Sequence, residues 1–395
     1  MVVAALGYFV DIYDLILFSI VRVASLRSLG VADGELLRTG VFLLNMQMGG
    51  MLTGGILWGV LGDKRGRLSV LFGSIFLYSV ANIANGMIDS VGAYAALRFI
   101  AGVGLAGELG AGVTLVAEVM PKEIRGYGTT IIATVGILGA VVASLVGDTF
   151  DWRVAYYVGG GMGLALLVLR VGVVESGMFE QVRRDAVSRG DFLMLFRDMR
   201  RAIRYISVIA IAVPIWYVVG ILVTFSPELG RAMGMAMPPT ASRAVMFCYI
   251  GLALGDLCSG VLSQLFRSRK KIVGTFLILT GILIAVYFLV GHRSLNVFYV
   301  TCVALGFAAG YWAVFVTMAA EQFGTNIRAT VATTAPNFVR GAVVPLTSAF
   351  QAGSGLLGVQ GSAIAVAAVT LAVALIALRG LEETYGKELR FVEGG

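Results

Sequence analysis

Charge is scarce in this sequence. Only 13% of its 395 residues are Asp, Glu, Lys or Arg, against about 25% in an ordinary soluble domain. A water-soluble fold so poor in charge has too little polar surface to cover itself, which argues against a soluble enzyme and against a disordered chain. The three cysteines, Cys248, Cys258 and Cys302, all fall in apolar stretches and give no disulfide framework. A single histidine, His292, leaves little for a metal site or a Ser/His/Asp triad, and it falls in a short loop. No G-x-x-x-x-G-K-[ST] occurs, so nothing supports nucleotide-driven pumping. Gly102, Gly104 and Gly107 match G-x-G-x-x-G in form only. They lie inside a long apolar run with no strand before it, so no dinucleotide site follows.

Apolar residues fill the space that charge leaves. They make up 58% of the chain, and mean hydropathy is +0.90. A hydrocarbon core about 30 Å thick needs roughly 20 apolar residues of helix. Runs of that kind fall at about 4–26, 36–61, 69–89, 92–117, 127–148 and 154–174, and again at 203–226, 242–265, 272–291, 295–319, 331–353 and 359–379. They are too long and too uniformly apolar for barrel strands, which alternate over about ten residues. The expected architecture is all-α and integral to the membrane, with twelve spans in two sets of six. Residues 1–174 would form one six-helix bundle and 202–380 the other. A central linker at 175–201, read as a surface helix, and a tail at 381–395 complete the chain. The first run carries two aspartates and no basic flank, so it is not read as a signal peptide.

Lys and Arg set the orientation. With the loop after the second span inside, 20 of the 30 basic residues fall on inside segments, 6 on outside loops and 4 (Arg22, Arg98, Arg170 and Arg340) within spans. Both termini are therefore expected in the cytoplasm. The same asymmetry explains the net charge of +7 with no nucleic-acid partner.

The two sets of six are related. At a shift of 203 residues Gly107 meets Gly310, Thr114 meets Thr317, Glu118 meets Glu321 and Arg125 meets Arg328. A duplicated six-helix unit in parallel arrangement implies a pseudo-two-fold axis along the membrane normal. Such halves can rock about a shared cleft.

Gly59–Arg67 reads GVLGDKRGR. It resembles the G-x-L-x-D-x-x-G-R loop of the major facilitator superfamily, with Asp63 and Arg67 at the matching positions. The second copy, from Gly260, is degraded, with Gln264 in place of the aspartate. Arg98 with Gly102 and Gly104 resembles the superfamily's fourth-helix motif. Asp11-Ile-Tyr-Asp14, GLAGELG at 104–110 and VESGMFE at 174–180 are similar to motifs of its metabolite, sialate-type and phosphate proton symporters. The fifth span has Gly136 and Gly139 but no proline, unlike the drug–proton antiporters. The resemblance implies a secondary transporter driven by a proton gradient, without cofactor or nucleotide, and functional as a monomer in the cell membrane. Its cargo is expected to be a small organic anion, with a neutral or zwitterionic metabolite or phosphate as the alternative. A transporter-like sensor is the reading outside transport.

Ionisable groups inside a span are costly and normally face a cavity or a partner. Asp11, Asp14 and Arg22 recur at helical steps along one face of the first span. The two aspartates are expected to exchange protons or, alternatively, to form a structural ion pair, Asp14 with Arg22 or Asp11 with helix 4. Glu108 lies mid-span among small residues and, by the resemblance, at the proton-coupling acid of the symporters. Arg98, ten residues earlier, forms a structural pair in the other reading. Arg340 beside Asn337 requires an anion, either Asp256 or the cargo. Trp216, Tyr217, Tyr311 and Trp312 at mid-span, with Gln47, are further candidates for cargo contact, ordinary packing being the other reading. Asp63, Arg67, Glu118, Arg125, Glu321 and Arg328 fall at the inner ends of spans and are expected to clasp that face as a gate.

Overall fold

The computed structural model describes residues 2–65, 67–119, 125–174, 192–387 and 393. The described helices form twelve rods. Helices 1 to 6 are Val2–Ser28, Leu36–Arg65, Arg67–Asn85, Val91–Val119, Arg125–Thr149 and Trp152–Val174. Of the linker, the described part begins at Phe192 and holds one short helix, Met194–Arg197. Helix 7 starts at Met199, earlier than hydropathy places it, because the Asp198 side chain accepts from the Arg201 amide and caps the first turn. It runs to Tyr217, continues through a π-helical stretch, Val218–Val223, and ends in Ser226–Ala232. Helices 8 and 9 are Ala241–Leu265 and Arg269–Val290. Helix 10 comes in two pieces, Leu295–Ala309 and Trp312–Glu321. Helix 11 spans Thr325–Gly341 and the first part of Val343–Gly380. That last helix breaks at Gly358 (φ 69°), where the chain reverses into helix 12, so that Ser362 Oγ donates to Phe350 O at 2.7 Å.

By length and composition seven described stretches can cross a membrane, among them 199–223, 241–265 and 269–293.

The internal repeat is visible in how helices cross. A Cβ on Gly102 would stand 2.0 Å from Gln47 O, and one on Gly50 would stand 2.1 Å from Phe99 O, so helices 2 and 4 touch backbone to backbone. Helices 8 and 10 repeat this, with Gly306 against Cys248 O and Gly251 against Val303 O. Gly251 lies 201 residues after Gly50, whereas Gly306 lies 204 after Gly102. Further along helix 10 the offset falls to 203, as Glu118 and Glu321 show. The second half thus uses one residue fewer over this interval. The break at Gly310–Tyr311 lies inside it, and unwound chain rises more per residue than the 1.5 Å of an α-helix.

The loop between helices 2 and 3 marks one end of the bundle as the basic end. At the opposite end the halves are tied together. Ser242 Oγ of helix 8 donates to Ser144 O of helix 5 at 3.1 Å, and Thr347 Oγ1 of helix 11 donates to Asn45 Oδ1 of helix 2 at 2.6 Å.

Candidate functional site

Midway along the bundle, Arg340 of helix 11 meets Asp11 of helix 1, with Nη2 3.3 Å from Oδ2. Both side chains are buried, at 1% and 0% exposure. The pair crosses from one half to the other. Arg340 Nε and Nη1 have no hydrogen-bond partner among the described residues, and neither has Asp11 Oδ1. The guanidinium lies 5.9 Å from the ring centres of Trp216 and of Trp312. The hydroxyl of Tyr8, one turn before Asp11, lies beside it too. A buried cation with unmet donors and aromatic walls has the chemistry to accept a planar anion.

Asp256 is not the counter-ion of Arg340, which corrects one of the two expected pairings. Its Oδ1 accepts instead from the Ala313 amide at 2.9 Å, at the start of the second piece of helix 10. That amide is free because the break leaves the new helix without preceding carbonyls.

Nor does Arg22 pair with Asp14. It reaches out of the first half to Glu228 of helix 7, making two bonds of 2.7 Å, while Leu36 O and Thr224 O accept from it at 3.2 Å each. Phe225 lies 4.5 Å under the guanidinium. Glu228 was legible only in outline: a lone acid at the end of the seventh span, at the same membrane face as a lone arginine ending the first. The π-helical turn places it. Thr224 Oγ1 donates to Val219 O, five residues back, and the Thr224 carbonyl turns to Arg22.

Asp11 and Asp14, three residues apart, take different directions. Asp14 packs into the first half against helix 6, where a Cβ on Gly159 would stand 2.2 Å from Oδ1. Arg98 lies over the rings of Phe18 and Tyr156 in the same interior, 5.4 and 5.7 Å away. Of the aromatic candidates, only the two tryptophans face the Arg340 guanidinium. The Tyr217 hydroxyl is bound to Ala363 O at 2.8 Å and that of Tyr311 to Ile211 O at 2.9 Å. Both therefore brace the second half. Gln47 Nε2 donates to Leu15 O, and Asn337 Nδ2 crosses between the halves to Ala106 O, each at 3.1 Å.

Among the described residues, Glu321 and Arg328 have partners within the second half. Glu321 holds Arg269 of helix 9 in two bonds of 2.6 and 2.8 Å, and Arg328 donates to Ala320 O and Phe323 O. All of these lie in the second half. The side chains of Glu108, Asp63, Arg67, Glu118 and Arg125 lie outside the described residues.

Two repeated six-helix bundles around buried charges define a membrane carrier fold. The chain belongs to the Major Facilitator Superfamily, whose family model matches residues 4–342. It is therefore a multi-pass membrane transporter and not an enzyme. It is 26% identical over 393 residues to a Bacillus subtilis protein provisionally named a niacin/nicotinamide transporter, covering 96% of this chain and 95% of that one. It is 28% identical over 377 residues to the cis,cis-muconate transport protein of Acinetobacter baylyi, covering 90% and 87%. A crystal structure of a D-xylose–proton symporter shares the fold, with a TM-score of 0.72 at 17% identity over 98% of each chain.

Proposed function

We propose that this transporter is a symporter that moves a small organic anion together with protons across the cytoplasmic membrane by alternating access. One observation carries the reading: Arg340 is buried, with Nε and Nη1 lacking a hydrogen-bond partner among the described residues, a 3.3 Å contact to Asp11 and the Tyr8 hydroxyl beside it. A cargo carboxylate takes the two free donors as a bidentate pair. Asp11, released from its cation, is then a buried charge without compensation and takes up a proton. Release of cargo restores the pair and frees the proton. The names of the two relatives bear on this chemistry: muconate is a dicarboxylate, and the other name pairs niacin, a monocarboxylate, with the neutral nicotinamide.

In this reading residues 1–174 and 202–380 rock about the pair, joined by 175–201. The basic end, with both termini, faces the cytoplasm, and one chain suffices. The Arg22–Glu228 latch, with the Ser144–Ser242 and Asn45–Thr347 bonds, holds the outer end shut. Glu108 is the second candidate for the proton, by its place in the symporter motif.

Uptake of radiolabelled nicotinate and muconate into proteoliposomes tests the proposal. Wild type should accumulate one of a panel of small carboxylates only under an inward proton gradient. Asp11→Asn should keep exchange of cargo across the membrane but lose accumulation, and Arg340→Lys should lose both. Accumulation by Asp11→Asn against its gradient would remove Asp11 from the coupling and turn the assay to Glu108→Gln.

A further inference from the structure

Helix 10 is broken where its repeat in the first half is not. Helix 4 is continuous over Val91–Val119, whereas helix 10 stops at Ala309 and restarts at Trp312. Gly310 and Tyr311 between them have non-helical backbone (ψ 67° and 25°). Facing the break is Asp256. Its counterpart 201 residues earlier, by the offset that relates helix 8 to helix 2 in the repeated crossings, is Gly55. The break and the carboxylate thus occur together in one half and are both absent from the other. Discontinuous helices inside a membrane persist where they line an ion or cargo site.

The two carboxylate oxygens differ. The amides of Trp312 and Ala313 face the group, and Ala313 donates to Oδ1 at 2.9 Å. Oδ2 is buried, in a residue 1% exposed, and has no hydrogen-bond partner among the described residues. The cap needs only one oxygen, so the second is left over. A carboxylate buried with half its acceptor capacity unmet carries an uncompensated desolvation cost. Arg340 does not relieve it, for its ion pair is with Asp11.

We propose that Asp256 is a second proton-binding group of this transporter, one that takes its proton on Oδ2 while Oδ1 keeps the helix-10 break capped. The proton removes the buried charge and leaves the cap in place, so the site loads and unloads without unfolding the break. The titratable group that faces it is Tyr8 of helix 1, whose hydroxyl lies within electrostatic reach of Asp256, Asp11 and Arg340 alike; Tyr249 of its own helix lies toward Tyr8, Asp11 and Arg340. Helix 5 between 134 and 147 and helix 9 between 272 and 290 bring no charged residue. Tyr8, within reach of Asp11, Arg340 and Asp256, would couple this proton site of the second half to the first when cargo draws Arg340 away from Asp11. That use in transport rests on the symport reading above, whereas the proton site itself does not.

Infrared difference spectroscopy of the full chain in lipid vesicles, stepped between acid and alkaline pH without cargo, reads the site directly. Protonated carboxylic acids show a separate C=O stretching band. Asp256→Asn keeps an oxygen for the Ala313 amide and removes the titrating group, and Asp256→Ser keeps a smaller acceptor in case the amide fails to fit. The expected result is that both variants melt within a few degrees of wild type and lack one component of that band, which Asp11→Asn retains. A folded variant showing every wild-type component would overturn the proposal. Because no cargo is present, loss of the band together with failure of proton-driven uptake by wild type would sink the symport reading and leave this one standing.

Discussion

Glu228→Gln isolates the latch that closes the outer end. In the native pair Arg22 is fully buried and the Glu228 side chain is 9% exposed, with two bonds of 2.7 Å between them. Truncating one partner of a fully buried ion pair costs about 3–5 kcal/mol, because the other charge is left buried and alone. Here the cost is smaller. Glutamine keeps one acceptor oxygen, Leu36 O and Thr224 O still accept from the guanidinium, and Phe225 still lies beneath it. About 2 kcal/mol against the closed outer end is a reasonable magnitude, equivalent to roughly 30-fold in the opening equilibrium. The readout is the rate at which a membrane-impermeant thiol reagent modifies a cysteine placed at Thr347, a fully buried residue on the outer part of helix 11, in a background lacking Cys248, Cys258 and Cys302; this cysteine also removes the Asn45 bond, so every rate is compared with that of the Thr347→Cys parent. Glu228→Gln should raise that rate by about an order of magnitude or more. The double variant Arg22→Gln/Glu228→Gln should fall back toward wild type, since no orphan charge remains. An unchanged rate in a folded Glu228→Gln protein would refute the latch.

Gly306→Ala puts a Cβ 1.8 Å from Cys248 O, and Gly102→Ala puts one 2.0 Å from Gln47 O. Each should destabilise by about 1–3 kcal/mol through overpacking of a helix crossing, seen as a lowered Tm in detergent; an unaltered melt of either would contradict the backbone contact. By contrast, Asp89→Asn removes a surface bridge to Arg153 in which the aspartate is 93% exposed, and its Tm should stay at the wild-type value. Glu383, beyond helix 12, is pushed up by burial, but hydrogen bonds from Ser268 and from the amides of Tyr385, Arg269 and Lys270 outweigh this and hold it below the usual carboxylate range. A depressed carboxyl stabilises above its unfolded value and loses that contribution as pH falls through the folded one. Docking of residues 381–387 on the start of helix 9 should therefore weaken below about pH 4, measured as protease sensitivity of this segment, and Glu383→Gln should remove the pH dependence.

Local composition fixed much of this molecule before any folding. Apolar runs of bilayer length, basic residues crowded at alternate loops and ionisable side chains inside the runs are properties of neighbouring residues, and they defined the helices, the paired bundles and the candidate charges. The repeat was legible too, down to Glu118 and Glu321, because duplication preserves spacing. What the chain order could not supply was partnership. Asp11 meets Arg340 across 329 positions and Arg22 meets Glu228 across 206, while helical periodicity ranks neighbours only a few residues apart. Asp11 and Asp14 share a face by periodicity, yet one crosses to the second half and the other turns to Gly159, because packing of helices 6 and 11 decides what each side of helix 1 meets. Asp256 found a helix start in place of an arginine for the same reason. A break in helix 10 exposes amides at short range, and a buried carboxylate settles with the donors that reach it at hydrogen-bond distance.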